Sequence, residues 1–312
     1  MIVTSNNHEQ DKNYKFSICT PCYNSSDSIE KVFKSLSNLG YKNFQWIVVN
    51  DESSDDSAEI ISTLMQDASF DIIFFDLEKN MMATYCYHLA IKNASGEFLI
   101  FLDHDDEIKA NALDRFLFHW QNLSADQQNK LAGMIAHCED ENGNLVGTEF
   151  PASPYINNFF DLMFKDHVRG EKFFCYKTNI MREHNFQLVD RYVPESYVMW
   201  GIASKFNTLF FNECLRIYHQ PTGEGSNLSL LNPFDYPRGF QVNYQLLINK
   251  FTYKLNIRPY MLLNFLFKYA QYSIVASIDL KSCTLGLENF FHRILVISIY
   301  PLAKLSLMGY SK

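Results

Sequence analysis

The sequence predicts an α/β fold: a mostly parallel sheet with helices on both faces, followed by a helical C-terminal appendage. Three observations carry this. Residues 15 to 103 alternate between short apolar runs and apolar residues at helical spacing, the pattern of repeated strand–helix–strand units. Polar clusters end three of the runs, at Thr20 to Ser26, Asn50 to Asp56 and Asp103 to Asp106, and ligands of such sheets bind beyond the carboxyl ends of the strands. From Pro237 onward the spacing of Leu, Phe, Tyr and Ile is helical.

The elements follow in order. Lys15 to Cys19 reads as a strand, and Ile29, Val32, Phe33, Leu36 and Leu39 mark one face of a helix. Phe44 to Val49 is the second strand, and Ile60, Ile61, Leu64 and Met65 the second helix, with capping residues crowding its start. Ile72 to Phe75 is the third strand, Thr84 to Asn93 the third helix with Gly96 as its stop, and Phe98 to Leu102 the fourth strand. A helix is expected from about Asn111 to Leu123, then a hairpin of Ala132 to His137 and Leu145 to Phe150 around Asn142-Gly143-Asn144. The stretch from Glu171 to Ser229 is irregular, with short strand candidates at Phe173 to Tyr176 and Leu209 to Asn212.

The strand Phe98 to Leu102 runs into Asp103-His104-Asp105-Asp106. Three carboxylates within four residues repel one another, and hard divalent cations prefer such oxygen ligands. A solvated acidic turn capping the next helix would also place acids here, but three polar clusters on one sheet edge favour a site.

Bulk properties narrow the class. A chain of 312 residues with 47% hydrophobic content can bury a full core. A net charge of −8 argues against a nucleic-acid partner, which would require a basic footprint. Seven cysteines, an odd number scattered along the chain, suggest reduced thiols and a cytoplasmic setting. Met1 to Asn7 shows no signal peptide, and Ile294 to Leu307, interrupted by Pro301 and Lys304, is short for a transmembrane helix. Phe240 to Lys312 holds eight Lys or Arg and two acids, a balance of +6 that leaves −14 for residues 1–239. A basic, aromatic-rich tail suits peripheral contact with the anionic membrane surface on the cytosolic side. Within it, Phe290 to Leu307 is the candidate interfacial helix, with Arg293, Lys304 and Lys312 near lipid headgroups.

Four ordered segments resemble glycosyltransferase family 2. Thr20-Pro21-Cys22-Tyr23-Asn24 resembles the family's Pro-x-Tyr-Asn loop, and Asn50-Asp51-Glu52-Ser53-Ser54-Asp55 its Asp-Asp-Gly-Ser-x-Asp turn. Ala94-Ser95-Gly96-Glu97 resembles the Ala-x-Gly-Glu lead-in, and Asp103-His104-Asp105 the metal motif. Val193-Pro194-Glu195-Ser196 with Trp200, and Asn212-Glu213 with Leu215 to Tyr218, resemble the acceptor side. The resemblance implies the Rossmann-like GT-A fold and inverting transfer of a sugar from a nucleotide-sugar donor, with UDP favoured. The acceptor would be a saccharide or a lipid-linked saccharide in cell-surface polysaccharide or glycolipid assembly. It implies a divalent cation, manganese or magnesium, on Asp105 with Asp103 beside it. It implies a nucleotide-sugar site of Thr20, Pro21, Tyr23, Asp51, Ser53, Asp103 and His104, Asp51 accepting the uracil N–H. The expected division is a tail over 1–14, a catalytic domain over 15–235 split near residue 106 into donor and acceptor halves, and a helical region over 236–312.

The chain departs from the pattern at three places. The usual Glu-Asp pair reads Glu195-Ser196, so Glu195 is the expected catalytic base and Asp190 the fallback. Gly-Gly-Lys before the third helix is replaced by Met81-Met82-Ala83, and the glycine of the second motif by Glu52. These changes would also suit a protein that binds a nucleotide-sugar or glycan without turning it over. Cys19-Thr20-Pro21-Cys22 admits a redox pair, with a packed cysteine and a loop cysteine as the favoured alternative. Leu102 to Asp105 admits a phosphatase, though Asp106 and Glu107 stand where those enzymes carry Thr or Val. A nucleotidyltransferase would need a Gly-rich basic loop, and His104, His137, Cys138, His167 and His219 lack zinc-ligand spacing.

Overall fold

The computed structural model describes residues 1–6, 12–219, 231–256 and 258–308. The chain forms two compact units, Met1–Asn185 with Lys205–Asn227, and Phe186–Ser204 with Leu228–Lys312.

The first unit holds ten strands and seven helices among its described residues. In chain order they are β1 (Ile2–Ser5), β2 (Phe16–Cys22), α1 (Ile29–Ser37), β3 (Phe44–Asn50), α2 (Ser57–Asp67), β4 (Asp71–Asp76), α3 (Met82–Asn93) and β5 (Phe98–Phe101). Then come β6 (Glu107–Ile108), α4 (Ala112–Gln121), α5 (Ala125–Lys130), β7 (Leu131–Glu139), β8 (Tyr155–Asn157), α6 (Phe159–Phe164), β9 (Lys172–Lys177), α7 (Thr178–Glu183) and β10 (Asn207–Ile217). They form one sheet in the order β1-β4-β3-β2-β5-β9-β7-β10-β6, with β8 on β10. The strands β4, β3, β2 and β5 are parallel, and β9 enters antiparallel between β5 and β7.

Every residue of β3 is buried, as expected of a central strand covered on both faces. In α1, Ile29, Val32 and Leu36 are buried while Glu30 and Lys34 pair outside. Their partners include Phe16, Trp46 and Phe70 in one continuous apolar core. The turn before β5 is set by contact distance: a Cβ on Gly96 would lie 2.4 Å from the carbonyl carbon of Phe16. Ser17 Oγ accepts the Gly96 N–H at 2.8 Å and one from Gln45 Nε2 at 2.8 Å. Gly96→Ala must therefore move backbone. It is expected to cost about 1–3 kcal/mol, read as a lower midpoint in chemical denaturation.

Three sequence expectations are corrected. Residues 2–5, expected as part of a tail, form an antiparallel edge strand on β4. Leu145 to Phe150 is no hairpin strand: both edges of β7 are taken, by β9 and by parallel β10, and only a Glu139–Leu145 bridge forms at the turn. The acids at 103–106 do not cap the following helix, since β6 intervenes and its N-cap is Asn111, which makes no side-chain cap bond.

The second unit contains α8 (Ser196–Ala203), a 3-10 turn (Pro233–Asp235), α9 (Pro237–Lys250), α10 (Thr252–Asn256), α11 (Pro259–Val275), α12 (Leu280–Leu285) and α13 (Phe290–Ser306). It bears out the expected C-terminal helices. Leu266 and Tyr269 are fully buried, and the Tyr269 hydroxyl donates to the Cys283 carbonyl at 2.8 Å. No described helix is long and apolar enough to cross a membrane.

Candidate functional site

The tips of β2, β3, β4 and β5 are knitted together by their polar clusters. The pairings Thr20↔Val48, Cys22↔Asn50, Asn50↔Asp76 and Cys19↔Phe101 bring the strand ends level. Ser53 Oγ accepts the Asn24 N–H at 2.9 Å, and Asn24 Oδ1 accepts the Ser54 N–H at 2.8 Å. Asp55 accepts the Ser26 N–H at 3.0 Å and the Ser57 N–H at 3.1 Å. Burial opposes its charge, but the bonds from Ser57 and Ser26 win and hold its pKa at about 2. That contribution to stability is present above pH 4 and is lost as pH falls toward 2. His104 Nδ1 lies 3.2 Å from Ser28 Oγ, joining the acidic tip of β5 to the loop after β2.

Asp51 is 4% exposed. Its Oδ1 accepts the Met81 N–H at 2.6 Å and its Oδ2 the Met82 N–H at 2.8 Å, so it anchors the start of α3. Met82 has φ 65 and Glu52 φ 61, left-handed backbone that glycine adopts without strain. Both stand where the family resemblance leads one to expect glycine, so this chain keeps that backbone path while carrying side chains. Glu52 Oε2 accepts the Asn80 N–H at 2.8 Å.

The carboxylates at 103–106 differ in environment. Asp103, half-buried, accepts the Tyr87 hydroxyl at 2.9 Å and lies 3.7 Å from Arg216 Nη2. Asp105 makes no hydrogen bond or ion pair among the described residues and is partly exposed. Asp106 is fully buried, accepts the His219 N–H at 2.9 Å and pairs with Arg216 Nε at 2.9 Å. Burial pushes its carboxyl up to about 7, against the pull of Arg216 and with the help of Asp103 and Asp105. Arg216, 5% exposed, also lies 3.8 Å from Glu171. One buried cation thus faces Asp103, Asp106 and Glu171, and the tip keeps an excess of negative charge. His219 sits between Glu107 and Glu141, whose carboxylates raise its pKa against the effect of burial.

The expected residues divide accordingly. Tyr23, Asp51, Ser53, Asp103, His104 and Asp105 lie at or just beyond the strand tips, as does half-buried Pro21. The Thr20 side chain faces the core and accepts the Trp46 indole N–H at 2.9 Å, leaving only its backbone for a ligand. Glu195 belongs to the second unit, where it is exposed at the start of α8 with no side-chain cap bond. Asp190 is instead a structural group, its Oδ2 accepting the Arg238 and Gly239 N–H groups at 3.0 and 3.2 Å.

Sequence reasoning passed over Arg216 and Tyr87. A lone arginine within the apolar run Leu215 to Tyr218 was the available signal, because a buried arginine requires an acidic partner. The redox alternative is overturned. Cys19 and Cys22 are three residues apart in one extended strand, on opposite faces and about 10 Å apart, beyond the reach of a disulfide. Burial raises both thiols, Cys22 to about 12.

The donor set suits a hard cation. Two oxygen ligands are available in Asp103 and Asp105, and no group of three or more His, Cys, Asp or Glu fit to hold a metal occurs among the described residues. Magnesium-type sites use one or two carboxylates and complete the shell with phosphate oxygens and water.

Comparisons with known proteins agree with this geometry. The model of Glycosyl transferase family 2 matches residues 17–184. The GalNAc(5)-diNAcBac-PP-undecaprenol beta-1,3-glucosyltransferase of Campylobacter jejuni is 24% identical over 208 residues, 65% of this chain and 64% of that protein. The chain thus spans less than two thirds of that relative's length. S. aureus TarS 1-349, solved with UDP-GlcNAc, superposes with a TM-score of 0.60 at 18% identity over 95% of this chain and 92% of that one. The mannosyltransferase PcManGT of Pyrobaculum calidifontis, solved with GDP-Man and Mn2+, gives 0.53 at 12% identity over 96% and 88%. The two structures share the GT-A fold expected here, and the chain belongs to glycosyl transferase family 2.

Proposed function

We propose that the chain is a metal-dependent, inverting glycosyltransferase that moves a sugar from a nucleotide-sugar donor, with UDP favoured, to a saccharide or lipid-linked saccharide acceptor in cell-surface glycan assembly. The observation that carries it is the tip of β5, where unpartnered Asp105 stands beside Asp103, itself positioned by Tyr87 and Arg216. Asp105 and Asp103 would hold the cation, manganese or magnesium. When bound, the cation offsets the charge that develops on the departing diphosphate. Arg216 keeps the acidic cluster together without neutralising it. Glu195 takes the proton of the acceptor hydroxyl. The names of the relatives support the donor and acceptor classes: TarS was solved with UDP-GlcNAc, and the Campylobacter jejuni enzyme is named for an undecaprenol-linked acceptor.

The test is a calorimetric titration of UDP-, GDP-, dTDP- and CDP-sugars with and without manganese, coupled to slow donor hydrolysis. Metal-dependent binding of one donor with turnover supports the enzyme. Binding with no hydrolysis and no transfer would leave a glycan- or nucleotide-binding protein.

Asp51 gives a sharper expectation for the base. Its two oxygens accept the Met81 and Met82 N–H groups, and a carboxylate offers about four lone-pair sites in all. If it accepts the uracil N–H, the native protein binds UDP more tightly than CDP by about 1–3 kcal/mol. Equal affinities would contradict the pairing. The native comparison is preferable to Asp51→Ala, which also strips two N–H groups at the start of α3 of their acceptor.

A further inference from the structure

We propose that the outer face of α13 is a docking surface for an anionic lipid bilayer. This helix is apolar on its outer face as well as on its inner one. Val296 and Ala303 are fully buried, His292 bonds to Asn256 at 2.9 Å, and Ser306 accepts from Gln271 at 3.0 Å, so the inner face is fixed to the unit. Phe290, Phe291, Ile294, Ile297, Leu302 and Leu305 are exposed. At 100° per residue these six share one face of a 17-residue helix, a stripe about 25 Å long. Phe290 and Phe291 are 70% and 74% exposed, which is costly in water and indicates an interaction surface.

The border of the stripe selects the occupant. Lys304 is exposed and Arg293 is partly exposed, both on the same flank of the stripe, and Arg293 Nε donates to the Leu287 carbonyl at 2.7 Å. The helix contains no acidic residue. A second copy would therefore bring a second basic border with no carboxylate from this helix to meet it. Anionic headgroups supply the missing charge while the acyl boundary takes the aromatic and aliphatic side chains, the mode of an interfacial helix. Since no described helix is long and apolar enough to cross a membrane, α13 lies on the surface. Lys312, the third basic residue expected at this border, lies outside the described residues. The lipid contact stands on α13 alone; that it serves a lipid-linked acceptor rests on the glycosyltransferase reading above.

Vesicle flotation of the full chain tests it. Vesicles of phosphatidylcholine with phosphatidylglycerol should carry the protein at low salt, pure phosphatidylcholine should not, and added salt should weaken binding. Lys304→Glu should lower vesicle affinity about tenfold. The triple change Phe291→Ser, Ile294→Ser and Leu305→Ser should lower it by about a hundredfold or more. All three positions are exposed, so UDP binding should be retained in every variant, which separates this test from that of the enzyme. No flotation with anionic vesicles at low salt would overturn the proposal. So would a dimer in sedimentation velocity that the triple variant dissociates while vesicle binding stays unchanged.

Discussion

Asp105→Ala is expected to lower manganese-dependent UDP affinity by about a hundredfold or more, consistent with the several kcal/mol a bound cation contributes, while the fold is unchanged. The reason lies in the contrast between neighbouring acids. Asp105 makes no bond among the described residues, so its removal should change stability by less than about 0.5 kcal/mol. Asp106, one residue on, is fully buried against Arg216 at 2.9 Å. Its replacement by alanine leaves a buried cation short of its nearest partner and should cost about 3 kcal/mol, the low end because Asp103 and Glu171 remain within 4 Å of the guanidinium. Calorimetry with and without manganese, beside denaturation of both variants, reads the two effects separately. Unchanged UDP affinity in Asp105→Ala would remove it from the site. A large loss of stability would make it a structural acid like Asp106.

The parallel half was legible because its signals are local. Ile29, Val32 and Leu36 repeat at helical spacing, Phe44 to Asn50 is an unbroken buried strand, and three of the four strand runs end in polar clusters that the sheet then brings to one edge. The hairpin at Asn142-Gly143-Asn144 failed for the opposite reason. The turn does form, with the Gly143 N–H on the Asp140 carbonyl at 2.9 Å, but the partners of β7 come from residues 172–177 and 207–217. No local pattern announces pairing over that separation. Ile2–Ser5 was missed because all four residues are exposed, so nothing in its pattern marks a buried face. At the site, the carboxylates could be read and their sorting could not. Which of Asp103, Asp105 and Asp106 faces Arg216 depends on a strand more than a hundred residues later. The three lost glycines read as a weakened motif, yet at two of those positions Glu52 and Met82 hold left-handed backbone, so sequence overstated the damage to the loop.

Glu195→Gln should leave donor binding intact and lower transfer by about two to four orders of magnitude, the usual contribution of a general base. The case for Glu195 is made by what its neighbours do. Asp190 has Oδ2 committed to the Arg238 and Gly239 N–H groups and Oδ1 to the Arg191 N–H, so it serves as a cap for α9. Ser196, in place of the usual aspartate, bonds through Oγ to Asn243 at 3.2 Å. Glu195 itself is exposed and makes no side-chain cap bond to α8, which removes the helix-capping explanation for an acid at this position. Glutamine keeps the size and the hydrogen bonding but cannot accept the proton. The variant should therefore lose the acid limb of the pH–rate profile along with its rate, a change that a merely structural role would not produce. Asp190→Asn should do the reverse, costing about 1 kcal/mol of stability as a weakened helix cap does while leaving most of the turnover. Near wild-type transfer by Glu195→Gln, with its acid limb retained, would place the base on another group and leave Glu195 as a surface acid.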